Sequence, residues 1–351
     1  MNELTVLNHL PETLLERAAP DLHQVLDGPT LIHLSGRDPT PLFVSVLLHG
    51  NETTGWEAMR GLLKKYEGRT LPRALSLFLG NIMAARQGVR RLDRQPDFNR
   101  VWPSDEANES DAPAGREAKI MSAVVAEMRT RDCFASIDIH NNTGSNPHYG
   151  CVNRLEGPYL HLARLFSRTI IYFLRPLGVQ SMAFAQFCPA VTVECGKSDD
   201  QAGIAHAMDF VETVLHLERL DERTPAAREY DLFHTVATIK VPEEASFSFE
   251  DPKGRETDLH FSADLDRMNF QEIGDGALFA RTRHPARLTA WDENGREVGA
   301  DYFEYRAASG TPRDFEYEVR LKKSVMPSML TVNPKIVRQD CLGYFMERLS
   351  K

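Results

Sequence analysis

Short apolar runs rich in β-forming residues recur along the first two-thirds of the chain, and helical stretches separate several of them. The runs are PLFVSVLLHG (41–50), ALSLFLGN (74–81), CFASIDIHN (133–141), TIIYFL (169–174) and AVTVECG (190–196). Most do not alternate apolar with polar residues, which suits strands covered on both faces. Between them lie TGWEAMRGLLKKY, GREAKIMSAVVAEMRTR and GPYLHLARLFSR, each with helical periodicity. Strand and helix taking turns imply a mostly parallel or mixed sheet flanked by helices. Ligand sites in such sheets lie beyond the carboxyl ends of the strands. His49, Asn81, His140 and Glu194 all fall at such ends.

The texture changes after a helix, IAHAMDFVETVLHLERL, that closes near residue 220. HTVATIKVP, FSFED, ARLTAWDENGREV, DYFEYRA, DFEYEVRL and MLTVNPKIVR are short alternating runs with turn residues between them. The expected organisation is an α/β domain over 1–222 and a smaller all-β domain over 223–351. At the N-terminus, residues 10–25 read as an amphipathic helix with Leu10, Leu14, Leu15 and Leu22 as its stripe, and PTLIHLSG as an edge strand. Residues 104–115 are acidic and small, and read as a surface loop.

A net charge of −9 argues against nucleic acid or an anionic membrane as partner, since either wants a basic face. No basic leader precedes an apolar run, and no apolar run reaches the roughly 18 residues of a membrane span. The five cysteines are scattered and lack C-x-x-C spacing, as in a reduced cytoplasmic protein. Oligomeric state is left open by the sequence, a homo-oligomer included.

The chemistry centres on VSVLLHGNETTGWEAMR (44–60), which reads as strand, polar loop and helix. His49 and Glu52 stand three apart in the loop and can converge on one point. An imidazole and a carboxylate there are two of the three protein ligands that a catalytic zinc takes. His140, at another strand end, is the candidate third. A lone histidine in such a place is more often structural, but beside the HGNE loop the ligand reading is the better one. Asp138 shares a strand face with His140 and suits an outer partner of that ring. The loop after His140 is rich in hydrogen-bonding groups, and Asn141 is a candidate substrate contact. Glu194 ends a further apolar strand, where a raised pKa would suit a general base. Arg86, Arg90, Arg91, Arg94 and Arg100 cluster in an otherwise acidic chain. In the DFNR setting, Arg100 can grip a carboxylate bidentately, while Arg90 can stabilise an oxyanion.

HGNE (49–52), RRLDRQPDFNR (90–100), DIHNNTG (138–144) and VECG (193–196) resemble, in order and spacing, the motifs of the succinylglutamate desuccinylase/aspartoacylase family. The resemblance covers about residues 40–220. It implies a fold related to the zinc carboxypeptidases with a smaller β-rich C-terminal domain. It implies one zinc per chain on His49, Glu52 and His140, and Glu194 as general acid/base. Asn99 and Arg100 would bind the substrate carboxylate, and Arg90 would polarise the scissile carbonyl. The implied activity is removal of an acyl group from an N-acyl amino acid or similar small amide. The alternatives are a carboxypeptidase acting on short peptides and a non-catalytic metal- or ligand-binding relative. Two departures stand out. An insertion, Arg94–Pro96, blurs whether Arg90 or Arg91 is the oxyanion residue. The arginine that aspartoacylases carry about ten residues before the catalytic glutamate has no counterpart in VQSMAFAQFCPAVTVE. The family's C-terminal domain lends a tyrosine or acidic residue to the site, for which Tyr302, Tyr305 and Tyr344 are candidates.

Overall fold

The computed structural model describes residues 4–104, 115–249, 257–283, 288–308 and 316–349. The chain divides into two compact units, one of Met1–Asn141 with His148–Leu232, the other of Asn142–Pro147 with Phe233–Lys351. Apart from its two end residues, the acidic segment 104–115 lies outside the described residues.

In the first unit the strands are β1 (Thr5–Leu7), β2 (Thr30–Leu34), β3 (Gly36–Val46), β4 (Leu71–Leu79), β5 (Ala135–His140), β6 (Tyr149–Val152), β7 (Thr169–Tyr172) and β8 (Ala190–Glu194). They form a sheet in the order β1-β2-β4-β3-β5-β8-β6-β7. The centre is parallel: β3 pairs with β4 and β5, and β5 with β8. Antiparallel pairings of β2 with β4 and of β6 with β8 make the sheet mixed. β5 is buried at every position, as expected for a central strand covered on both faces.

The helices are α1 (Thr54–Lys65), α2 (Ile82–Gln87), α3 (Arg116–Arg129), α4 (Gly157–Phe166), α5 (Gln180–Phe184) and α6 (Gln201–Leu215). α1 lies tight on the sheet because Gly55 has no side chain. A Cβ there would stand 2.9 Å from Val46 Cγ1 and 3.1 Å from Ile139 Cβ. α5 covers β5 and β8 through Phe184, which stacks on Phe43 at 4.2 Å between ring centroids. Trp102 meets Phe78 and Phe184 edge-on, at 5.9 and 6.0 Å, and anchors the end of the DFNR segment.

Two N-terminal expectations change. Residues 10–25 form two separate 3-10 turns, Leu14–Glu16 and Ala19–Gln24, instead of one helix. Thr13 takes a left-handed φ of 62°, and Pro20, which has no N–H to donate, starts the second turn. Leu14 and Leu22 are buried all the same. β2 is not the edge strand, because β1 pairs with it in parallel from Thr5 opposite Thr30.

The second unit is mostly antiparallel β. β9 (Asp231–Lys240) pairs with β13 (Thr289–Trp291) and β17 (Gly343–Arg348), and β17 pairs with β16 (Met326–Ser328). A five-stranded sheet runs β10-β11-β12-β15-β14, over Phe247–Ser248, Leu259–His260, Leu278–Thr282, Tyr317–Leu321 and Phe303–Ala307. Phe261, Phe279, Phe303 and Phe345 are prominent in its core. Two short helices interrupt the expected all-β texture, α7 (Gly299–Tyr302) and α8 (Pro334–Gln339). α8 falls within MLTVNPKIVR, read above as a strand. Asn333 caps it by accepting from Lys335 N at 3.0 Å, and Pro334 takes the first turn, where a missing N–H is harmless. Among the described residues no helix is long and apolar enough to cross a membrane.

Trp102→Ala should destabilise the first unit by about 3–5 kcal/mol, since it empties a fully buried site among aromatic rings. Urea unfolding followed by circular dichroism would show the midpoint fall; an unchanged midpoint would mean that the DFNR segment is anchored elsewhere.

Candidate metal centre

The parallel centre of the sheet carries the site residues at its carboxyl ends. Beyond β3 the backbone turns sharply, with Leu47 at a left-handed φ of 57°. Gly50 then passes against α2, where a Cβ would stand 2.2 Å from Ala85 N. Its N–H donates to Arg90 O at 3.0 Å. Only glycine allows that approach, so Gly50 fixes where the HGNE loop turns.

His49, Glu52 and His140 converge. One ligand atom from each lies within 4.8 Å of the others, and all three residues are buried. His49 Nδ1 is 2.8 Å from Glu52 Oε1, and His140 Nδ1 is 2.7 Å from Glu52 Oε2. The ring centroids stand 5.0 Å apart. Each ring's other nitrogen faces a second carboxylate: His49 Nε2 meets Asp97 Oδ1 at 2.9 Å, and His140 Nε2 meets Asp138 Oδ2 at 2.7 Å. A carboxylate on Nε2 keeps that nitrogen protonated and turns Nδ1 inward as a donor atom. Two imidazole nitrogens and one carboxylate, each ring braced in this way, fit a divalent cation and suit zinc in particular.

The electrostatics point the same way. Burial works against charge on Glu52, but the two imidazoles outweigh it and hold its carboxyl below the ordinary range. Burial likewise opposes protonation of His140, yet Asp138 and Glu52 raise it well above the usual histidine value. For His49, burial and Arg90 pull down, while Asp97 and Glu52 prevail and raise it. Asp97 is held well below its usual value against the cost of burial, first by Arg90 and then by His49.

Arg90 joins the cluster and Arg91 does not. Arg90 donates to Asp97 Oδ2 through Nε at 3.1 Å and Nη2 at 3.0 Å, and its Nη1 lies 3.5 Å from Glu52 Oε1. Arg91 turns away and donates to Gln95 O at 2.6 Å. Arg86 and Arg94 are exposed. Arg100 is half-buried and donates to Asn99 O at 2.8 Å.

Asn99 and Asn141 use both ends of their amides inside the protein. Asn99 Oδ1 accepts from Gln180 N at 2.9 Å, and its Nδ2 lies 3.2 Å from His140 Nε2. Asn141 Oδ1 accepts from Thr54 N at 3.2 Å, while its Nδ2 donates to Thr54 Oγ1 and to Gly196 O. It thereby ties the start of α1 to the loop after β8. Asn81 caps α2 by accepting from Ala84 N and also donates to Gln95. It thereby serves the neighbouring helix and loop. Glu194, almost wholly buried, is the register partner of His140 across β5 and β8 and of Tyr149 across β8 and β6.

Tyr302, Tyr305 and Tyr344 belong to the second unit. Tyr302 packs on Phe345 under Lys323, and the Tyr305 hydroxyl accepts from Leu288 N.

Asp97 is the site residue that the sequence reading missed. Its signal was present: it opens the DFNR motif two residues before Asn99, and a ligating histidine needs a carboxylate behind it.

Fold and site together define an α/β protein with a candidate metal centre at the carboxyl ends of its central strands. More narrowly, the family model described as "Succinylglutamate desuccinylase/Aspartoacylase catalytic domain" matches residues 40–220, and the chain belongs to the succinylglutamate desuccinylase/aspartoacylase family. No curated protein sequence matches the chain. Solved structures share its fold at low identity. The succinylglutamate desuccinylase of Chromobacterium violaceum is 18% identical with a TM-score of 0.54, over 90% of this chain and 86% of that one. Murine aminoacylase 3 is 15% identical with a TM-score of 0.52, over 90% and 97%. A succinylglutamate desuccinylase/aspartoacylase from Rhodobacter sphaeroides is 10% identical with a TM-score of 0.55, over 92% and 89%.

Two predictions follow from the braced rings. Asp97→Ala should weaken zinc binding about 10- to 100-fold, read by competition with a chromophoric chelator; unchanged affinity would exclude Asp97 from the centre. Because both ring nitrogens facing Glu52 must be free of protons to bind a metal, zinc uptake should release protons and weaken as pH falls. Calorimetry in buffers of different ionisation enthalpy measures that release directly, and a proton count of zero would contradict it.

Proposed function

We propose that the chain is a zinc-dependent amidohydrolase that removes the acyl group from an N-acyl amino acid or a similar small carboxylated amide. The observation that carries the reading is the buried His49–Glu52–His140 cluster in a member of this family, with Glu194 in register beside His140. Family relatives named desuccinylase and aminoacylase support an acyl-amino acid as substrate.

In this reading His49 Nδ1, Glu52 and His140 Nδ1 hold one zinc ion. A divalent cation so bound supplies Lewis acidity toward a water molecule and the scissile carbonyl. Glu194 takes a proton from the attacking water and passes it to the departing amine nitrogen, since its carboxylate is nearly dry and anchored at a strand end. Arg90 polarises the carbonyl oxygen, because its Nη1 is the guanidinium arm turned toward Glu52. Asp97 holds the rest of that guanidinium in place. Arg100 receives the substrate carboxylate. Asn99 and Asn141 act on the substrate indirectly, Asn99 by donating to Asp138 behind His140 and Asn141 by bracing the start of α1.

Metal analysis of the purified protein should return one zinc per chain. A screen over N-acetyl, N-formyl and N-succinyl amino acids should reveal metal-dependent hydrolysis. Glu194→Gln should lower kcat about 10²- to 10⁴-fold while zinc stays bound. Genuine turnover surviving in that variant would overturn the mechanism. Cleavage of short peptides in place of acyl-amino acids would move the assignment to a carboxypeptidase.

A further inference from the structure

Ser45 lies in the most apolar stretch of β3, LFVSV, with no exposed surface. A hydroxyl there adds nothing to the packing of a sheet centre, and burying one without a partner is costly. Its partner is Asp138. The two residues stand side by side in the register of β3 and β5, and Ser45 Oγ donates to Asp138 Oδ1 at 2.6 Å. Asp138 is likewise fully buried. Its other oxygen, Oδ2, is the one that meets His140 Nε2, with Asn99 Nδ2 at 3.5 Å from it.

We propose that Ser45 is a positioning residue of the metal centre, acting on His140 through Asp138. The inference rests on the reading of His140 as a metal ligand. A buried carboxylate is fixed in rotation by donors on both its oxygens. Among the described residues Ser45 is the one donor to Oδ1. With it in place, Oδ2 is held toward His140, Nε2 keeps its proton, and Nδ1 faces Glu52. The His49 side differs. Asp97 is fixed by two guanidinium nitrogens of Arg90 and also accepts from Asn99 N at 2.8 Å. The His140 arm ends instead in a single neutral hydroxyl, so it is the arm that one substitution can loosen.

The test compares variants for zinc affinity by chelator competition, for the visible spectrum of the cobalt-substituted protein, and for the melting temperature of the metal-free protein. Ser45→Ala should weaken zinc binding about tenfold and alter the cobalt spectrum, in the range seen when an outer partner of a ligand is removed. Ser45→Thr, which keeps the hydroxyl on a residue suited to strands, should restore both. Ser45→Val, matched to Thr in volume, should not, and this pair decides the matter if the alanine variant fails to fold. Ser76→Ala is the control. It removes a buried hydroxyl 2.8 Å from His33 Nδ1 on β4 and should leave affinity unchanged. Unchanged affinity and cobalt spectrum in Ser45→Ala or Ser45→Val would overturn the proposal. So would loss of melting temperature alone, since that marks a merely structural serine. Neither readout depends on turnover, so failure of the hydrolase assignment and failure of this inference are told apart.

Discussion

Everything at the rim of the central sheet depends on one imbalance of buried charge. Glu52, Asp97 and Asp138 are three carboxylates gathered around His49 and His140; the Arg90 guanidinium pairs with the first two, and the charge of Arg100 also acts on Asp97. Carboxylates outnumber the guanidiniums beside them, the more so with Glu194 buried next to His140. Burying them unmatched is prohibitive. The surrounding carboxylates raise both imidazoles toward protonation against the cost of burial. A divalent cation held there, as proposed, would serve the same end.

The fold holds these groups in rigid geometry by tying each candidate ligand close to a strand end or a helix start. The HGNE loop is pinned by the close passage of Gly50 against α2 and by the Arg90 carbonyl. Asn141 closes the gap between β5, α1 and the loop after β8. Asn99 joins the DFNR segment to α5 through Gln180 and to β5 through Asp138. Polar residues that could pass for ligand contacts are, in their observed hydrogen bonds, the mortar between segments that carry ligands. Precision of this kind is what separates a functional metal site from a chance cluster.

The two histidine arms also differ in kind. One ends in a charged guanidinium, which is also the group best placed to meet a substrate oxygen. The other ends in a serine buried in the sheet. A substrate that draws on Arg90 would therefore touch the His49 arm, while the His140 arm runs back into the strands. The asymmetry follows from position: the DFNR segment is a loop over the rim, whereas Ser45 and Asp138 are mid-strand neighbours.

Much of this was legible in the chain itself. Apolar runs marked β3, β4, β5 and β8, because covered strands carry few polar side chains, and the polar residues ending those runs marked the rim. The spacing of His49 and Glu52 was a local signal, since a three-residue separation on one loop leaves few ways to diverge. What the sequence could not reveal depended on segments far apart in number. Asp97 as the brace of His49, Arg90 over Arg91, and Ser45 beneath Asp138 required knowing which strand lies beside which and where an insertion folds back. Asn333 and Pro334 start a helix inside a run with strand-like alternation, and β1 takes the edge from β2, because capping and pairing partners outweigh local propensity. The sequence by itself determined the main strands, their rim and the three residues that converge there as candidate ligands. Only the tertiary structure decided their bracing, since a hydrogen bond between residues 93 positions apart exists only once the sheet has set their register.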